Sequence, residues 1–287
     1  MSLKEVKQRI LSVKNTQKIT SAMKLISAAK LRRAQNAIEG MLPYKNKLNE
    51  ILLSFLSAVK DFSTPYARNG EVRRIAVVAV SSNSSLCGGF NTAIIKRTKE
   101  LLEEYKTLGA DNVEIFPVGK KISEALHKAG YSLDDSLMSQ AAAPSYNEVA
   151  EVARYFMRRF IAGELDSIVL VYTHFHSAAK QTVVCEKLLP LDFSSLEFSD
   201  SHSIGDFIVE PTQEALIGQL IPKVVAMRLF TSLLDSVAAE HASRMLAMQI
   251  ATDNANDLIT TLVREYNKSR QQAITNELLD IVAGSVN

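Results

Sequence analysis

The chain has 287 residues, of which 47% are hydrophobic, 22% charged and 7% aromatic; this composition is typical of a folded protein and excludes a disordered or collagen-like chain. The formal net charge is only +2, but it is unevenly distributed. Residues 1–47 hold eleven Lys or Arg against two acids, Glu5 and Glu39. A basic end on a nearly neutral chain indicates an acidic partner surface, nucleic acid or anionic lipid.

The start of the chain does not resemble a secretory signal, because its first 30 residues contain seven Lys or Arg and no apolar block. No stretch approaches the roughly 18–20 apolar residues that cross a bilayer, so we expect any membrane association to be peripheral. The two cysteines, Cys87 and Cys185, lie far apart in apolar segments, and we expect both to be free thiols.

Long helices are predicted at both ends of the chain. Neither Gly nor Pro occurs in residues 1–39 or in residues 223–283. The second of these runs far exceeds the mean helix length of about 11–12 residues and is typical of coiled coils. We predict coiled-coil helices over 1–60 and 212–286, paired antiparallel because one chain carries both with a domain between them.

The seam between these helices follows the apolar spacing. On the N-terminal helix, alternating steps of four and three residues pass through Val6, Ile10 and Val13 and then meet a polar middle. A second, apolar stripe is expected to take over there, and it comprises Ile19, Ala22, Ile26 and Ala29. The predicted seam of the C-terminal helix comprises Met248, Ala251, Ala255, Leu258 and Leu262. Beyond these residues the seam is expected to slip to Ile274, Leu278 and Ile281.

The segment between the helices is predicted to be an α/β domain over 73–190. Its apolar, β-branched runs predict strands over 75–80, 113–118, 166–175 and 181–188. The intervening patterns predict helices over 91–105, 120–128 and 146–160. Such alternation favours a mainly parallel, Rossmann-like sheet with helical cover. The polar segments 61–70 and 191–211 are interpreted as junctions.

Candidate chemical motifs in the middle domain are weak. The run from Leu86 to Asn91 follows a strand and opens a helix, but it lacks the phosphate-binding signatures, so a structural tight turn is favoured. His174 and His176 lie at a strand end without nearby acids or cysteines, so a solvated pair is favoured over a metal site. We therefore expect no catalytic residues, no metal and no cofactor.

The basic N-terminal helix gives the strongest functional signal. Residues 1–43 contain no aromatic side chain, which argues against nucleic-acid binding and against a membrane-surface helix. An acidic protein partner surrounding the helix pair fits this pattern best.

Three stretches closely resemble the gamma subunit of F-type ATP synthase. The first is residues 19–35, ITSAMKLISAAKLRRAQ. The second is the C-terminal half, with SRM at 243–245, ATDNA at 251–255 and YNKSRQ at 266–271. The third is the LCGGFN run at 86–91, although Asn83-Ser84-Ser85 replaces the acidic-basic-glycine stretch that commonly precedes it in the family.

This resemblance implies a central rotor that couples ion flow to conformational change in catalytic beta subunits. Its partners would be alpha, beta, epsilon and the membrane c-ring, and its place the cytoplasmic face of a bacterial plasma membrane, as a peripheral protein. By matching position, the residues expected to contact beta are Met23, Lys24, Lys30, Arg33, Arg270 and Gln271.

Two alternatives come from other classes of protein. One is a nucleotide-binding α/β enzyme with dimerising helical arms, which would bind ATP or a dinucleotide tightly. The other is a membrane-surface or scaffold coiled coil. Neither has a positive motif in the sequence.

Overall fold

The fold has five α-helices and four strands in the residues that a computed structural model describes, which are 3–58, 64–67, 70–192 and 212–285. In chain order they are α1 (Leu3–Ala58), β1 (Ile75–Val80), α2 (Phe90–Glu104), β2 (Val113–Val118), α3 (Lys120–His127), α4 (Tyr146–Ile161), β3 (Ser167–Phe175), β4 (Gln181–Leu189) and α5 (Gln213–Ser285). These bounds agree with the predicted elements to within a few residues. Half of the predicted junction 61–70 and nearly all of the junction 191–211 lie outside the described residues.

The strands form one sheet in the order β2-β1-β3-β4. β1 pairs in parallel with both β2 and β3, as the alternation of strands and helices predicted. β4 instead pairs antiparallel with β3. Only residues 176–180 join β3 to β4, which is too short for the crossover that a parallel pair needs.

Both faces of the sheet are buried, which explains the unbroken apolar run of β1. Alternate residues of β1 face opposite sides, so Ile75, Val77 and Ala79 pack with the apolar sides of α2 and α3. The intervening residues of β1 pack in a larger cluster with α4, the end of α1 and the start of α5. The predicted Rossmann-like domain is therefore confirmed as a mixed sheet with helices on both faces.

Contacts divide the chain into two compact units. The sheet unit spans residues 29–243, and the helix-pair unit combines the described parts of 1–28 and 244–287. This division falls inside both long helices. The segments predicted from the sequence instead have their boundaries at the ends of these helices. The start of α5 lies in the core of the sheet unit, where Val225 and Met227 are almost fully buried.

The helix-pair unit is antiparallel. Thr20 on α1 shares a 2.8 Å hydrogen bond with Thr252 on α5, and Lys24 Nζ donates to Gln249 Oε1 at 2.7 Å. Residue numbers thus rise on one helix as they fall on the other.

The buried stripe of α1 continues straight through its polar middle. Val6, Thr20 and Ser27 are buried, and the intervening stripe positions, which include Ile10 and Val13, are half-buried. The prediction that a second stripe takes over is wrong, since Ile19 is 60% and Ile26 58% exposed. The stripe has no need to change face, because its polar side chains are hydrogen-bonded: Thr20 and Lys24 bond across the pair, and Ser27 bonds its own helix.

One predicted seam residue on α5 also needs correction. Met248, Ala255 and Leu262 are buried and Ala251 is half-buried, but Leu258 is 39% exposed. The buried stripe instead passes through Met248, Thr252, Ala255, Ile259 and Leu262. The stripe advances by four residues twice in succession, from Arg244 to Met248 and from Met248 to Thr252, instead of alternating four and three. This shifts the heptad by one position.

The end of α5 is apolar and exposed, contrary to the predicted slip of the seam. The exposed residues are Ile274, Leu278, Leu279, Ile281 and Val282, at 48–67% exposure. Both helices rise by the same distance per residue, so counting outward from the Thr20–Thr252 pair places Leu3 opposite Ser269. The described part of α1 therefore has no residue to cover α5 beyond that point.

The length and composition of α5 would allow it to cross a membrane, contrary to the expectation that no stretch is apolar enough. However, 61% of its most apolar window is buried inside the protein. A buried core helix passes the same test, so this finding alone is weak evidence for a membrane span.

Candidate interaction surfaces

The first candidate surface is the set of cations on α1. Lys30, Arg32 and Arg33 are exposed, and no ion pair is recorded for them within the described part of the chain. An exposed cation that is not held in an ion pair attracts acidic groups at a distance, and salt screens that attraction. This segment of α1 can therefore steer an acidic surface.

Lys24 differs from these three cations although the sequence grouped it with them. It is half-buried on the seam, and its ammonium donates to the side-chain oxygen of Gln249. Met23, next to it, is also half-buried. Lys24 is thus engaged inside the helix-pair unit.

The second candidate surface is near the end of α5. Arg270 and Gln271 are both exposed, just past Ser269, at the point from which α5 has no described partner. Arginine presents a planar fork of donors that suits a carboxylate. These two residues and the exposed apolar end of α5 lie on the same stretch of helix.

The predicted contact residues do not form one site. Met23, Lys24, Arg270 and Gln271 belong to the helix-pair unit, while Lys30 and Arg33 belong to the sheet unit. Within the helix-pair unit, roughly 30 Å of helix rise separates Gln249, which binds Lys24, from Arg270. Two separate contact regions fit this spacing, and neither resembles a catalytic centre.

The turn between β1 and α2 is held by its own side chains. Asn91 Oδ1 accepts from the Ser82 backbone N–H at 3.1 Å and from the Ser82 hydroxyl at 3.0 Å. Asn91 Nδ2 also donates to Cys87 Sγ at 3.1 Å, and Cys87 is buried. Leu86, at φ 67°, adopts a left-handed conformation that is unfavourable for leucine. These internal bonds favour the structural turn over a phosphate site.

A groove of about 500 Å³ lies inside the sheet unit, between α1, β3, β4 and α5. Tyr172 donates from its hydroxyl to Glu186 at 3.0 Å, and Arg228 forms an ion pair with the same carboxylate. Burial raises the pKa of the Tyr172 phenol, and the charge of Glu186 adds to this rise. These charged groups are therefore satisfied by one another.

The groove lacks an activated nucleophile among the residues described. Thr231 and Ser232 donate their hydroxyls to carbonyls of their own helix, so neither is held by a base. Three or more metal-ligating side chains do not converge anywhere in the described segments. The enzyme alternative thus gains no support from this groove.

His174 corrects the predicted solvated histidine pair. The two rings are in edge contact, with centroids 4.4 Å apart, but His174 Nδ1 is bonded to Asp235. The other carboxylate oxygen of Asp235 accepts from the Phe175 backbone N–H at 2.9 Å. This contact joins β3 to α5 and is structural.

Sequence reasoning missed Gln249, Asp253 and Asp235. Gln249 and Asp253 are four residues apart on α5, a spacing that predicts a local pair, but nothing in the sequence places Lys24 opposite them. Asp235 is far from His174 in sequence, and only the packing of α5 against the sheet unites them.

Comparison with known proteins identifies the class. The family model described as ATP synthase matches residues 2–286. The ATP synthase gamma chain of Phocaeicola vulgatus is 52% identical over 286 residues, covering 99% of both chains. The gamma chain of Bacteroides thetaiotaomicron is 50% identical, again over 99% of both, and that of Flavobacterium psychrophilum is 42% identical. This chain belongs to the ATP synthase gamma chain family.

Solved structures agree on the fold. A chain of the Euglena gracilis mitochondrial ATP synthase, in an OSCP/F1/c-ring assembly, superposes with a TM-score of 0.64 at 19% identity, covering 99% of this chain and 93% of that one. A rotor chain of the same enzyme gives a TM-score of 0.60 at 18% identity, covering 95% of this chain and 98% of that one. The antiparallel terminal helices with an inserted α/β domain are therefore confirmed.

Proposed function

We propose that this chain is the central rotating shaft of an F-type ATP synthase. It couples ion flow through a membrane c-ring to sequential conformational change in the catalytic beta subunits. The observation that carries the proposal is the full-length relationship to gamma chains. The antiparallel helix pair supports it, because α1 presents exposed basic residues and the end of α5 is exposed.

The helices and the α/β domain contact different partner subunits. The helices contact the alternating alpha and beta subunits, and the α/β domain contacts epsilon and the c-ring. The chain binds no nucleic acid in this role.

The shaft itself performs no chemistry. In the groove described above, Arg228 pairs with Glu186, and the hydroxyls of Thr231 and Ser232 are bonded to their own helix. The chain is a non-catalytic subunit, held peripherally at the cytoplasmic face of the bacterial plasma membrane through the complex.

Contact with beta is assigned to five exposed or half-buried residues on the two long helices. They are Met23, Lys30 and Arg33 on α1, and Arg270 and Gln271 on α5. The cations meet acidic segments of beta and steer them, since electrostatic complementarity sets orientation and association rate more than it locks an interface. Arg270 offers a two-pronged bond to carboxylates in a beta loop. Lys24 is not assigned to this set because its ammonium is already bound.

Reconstitution tests the proposal. The full chain is mixed with alpha and beta subunits, and we expect a stable assembly with cooperative ATPase activity. Lys30→Glu with Arg33→Glu should slow assembly at low salt, while Lys128→Glu, an exposed control on the sheet unit, should not. Failure of the unmodified chain to assemble would overturn the proposal.

A further inference from the structure

Lys24 occupies an unusual place for a cation. It lies on the buried stripe of α1 between Thr20 and Ser27, which are only 8% and 2% exposed. An ammonium at such a position carries a desolvation cost unless acceptors are supplied. Of the described cations in residues 3–33, it is the one for which a side-chain hydrogen bond is recorded.

Gln249 supplies that acceptor and is itself fixed by a third residue. Its Oε1 accepts from Lys24 Nζ at 2.7 Å, while its Nε2 donates to both carboxylate oxygens of Asp253, at 2.9 and 2.7 Å. Lysine can only donate and an ionised aspartate can only accept. One orientation of the amide satisfies both neighbours, so the three side chains form a directed chain of hydrogen bonds.

Loss of the amide would leave two groups without their partners. Lys24 would keep its charge on the seam with no acceptor, and its flexible stem would let the ammonium swing out toward solvent. Asp253 is exposed and would be satisfied by water. The consequence of removing Gln249 therefore falls on Lys24.

We infer that Gln249 is a positioning residue that retains Lys24 within the helix pair, so that the cationic surface offered to a partner excludes Lys24. The first half of this inference concerns the chain alone. The second half rests on the proposed function, because it concerns contact with beta.

A double-mutant cycle on the full free chain tests the first half. Amide hydrogen exchange is measured for peptides covering residues 14–28. We expect Gln249→Met to raise the opening equilibrium about fivefold when Lys24 is present, and less than about twofold in a Lys24→Met background. The same fivefold effect in both backgrounds would overturn the inference.

Exchange of the two side chains separates positioning from simple packing. Lys24→Gln combined with Gln249→Lys restores a donor facing an acceptor and keeps the i, i+4 contact with Asp253. We expect this double variant to return within about twofold of the unmodified chain. Opening as large as in Gln249→Met alone would contradict a hydrogen-bonding role.

Binding to the alpha–beta assembly tests the second half. Lys30→Met should weaken binding at low salt, whereas Lys24→Met should change it less than about twofold. If Lys24→Met weakens binding as much as Lys30→Met and the cycle is additive, the inference fails while the proposed function stands. If neither lysine affects binding but the cycle is non-additive, the assigned cationic contact fails while the positioning role stands.

Discussion

In the sheet unit, apolar side chains fill both faces of the sheet and far outnumber the buried polar ones, whereas in the helix-pair unit the buried stripe of α1 runs through Thr20, Lys24 and Ser27. The first arrangement gains stability from burial without directional bonds. The second depends on hydrogen bonds across the pair, which add little net stability but penalise any misalignment. The sheet unit is therefore built for stability, and the helix pair for a defined alignment.

The largest effect on stability is expected in the core of the sheet unit. Phe156 on α4 is fully buried and packs edge-to-face on Phe116, with ring centroids 5.1 Å apart. Phe156→Ala leaves a large cavity, and we expect a loss of about 3–5 kcal/mol in the free energy of unfolding, measured by urea denaturation. Ile161→Ala, at a residue 47% exposed on the same helix, should stay within about 0.5 kcal/mol. Equal losses for the two variants would contradict the assigned core.

A smaller effect is expected at the polar layer of the helix pair. The Thr20 and Thr252 hydroxyls bond each other, and each also lies within hydrogen-bonding distance of a carbonyl of its own helix. Thr20→Val or Thr252→Val alone should lower the local stability of residues 14–28 by about 1 kcal/mol, because the remaining buried hydroxyl loses its partner across the pair.

The double variant sharpens this prediction. Removal of both hydroxyls leaves two apolar groups of similar shape, so the combined loss should be smaller than the sum of the single losses. Hydrogen exchange measures all three variants. Thr260→Val is the matched control, since Thr260 is exposed and bonds only the Asn256 carbonyl in the recorded contacts. Strict additivity would mean that the cross-helix bond contributes nothing.

The smallest effect concerns pH and the groove of the sheet unit. The pKa of Tyr172 lies above its ordinary value of 10.0 because of burial and Glu186. The folded state therefore holds the phenol proton more tightly than the unfolded chain, and this stability is lost as the pH rises above 10.0. Tyr172→Phe should cost about 1 kcal/mol at neutral pH and flatten the alkaline fall in stability.

Urea titrations across that pH range provide the measurement for Tyr172. An identical alkaline profile for Tyr172→Phe and the unmodified chain would contradict the assigned cause.

Most of the fold follows from local patterns in the sequence. The β-branched run Ile75–Val80 is apolar at every position because both faces of the sheet are covered, and that signal requires no tertiary information. The absence of Gly and Pro likewise predicts the long part of α5. The antiparallel direction of β4 follows from the short connection at 176–180.

The errors arose where several residues could take the same role. Ala251 and Thr252 are both small, so the sequence could not reveal that the stripe steps to Thr252, and the error carried Leu258 onto the seam in place of Ile259. Ile19 and Ile26 form a better apolar stripe than Thr20 and Ser27, yet the polar residues are buried. Thr20 bonds Thr252 on the other helix, and Ser27 donates to the Met23 carbonyl of its own helix. Cross-helix partners such as Gln249 depend on register, which is a property of the folded pair.

The most direct test of the rotor assignment is ATP synthesis by membranes that carry Arg270→Ala in an otherwise complete complex. Arg270 is exposed, so the substitution should leave the thermal stability of the chain unchanged while it lowers ion-driven ATP synthesis by at least about tenfold. Arg264→Ala, another exposed arginine on α5, should retain most of the activity. Normal synthesis rates in the Arg270→Ala membranes would contradict the account.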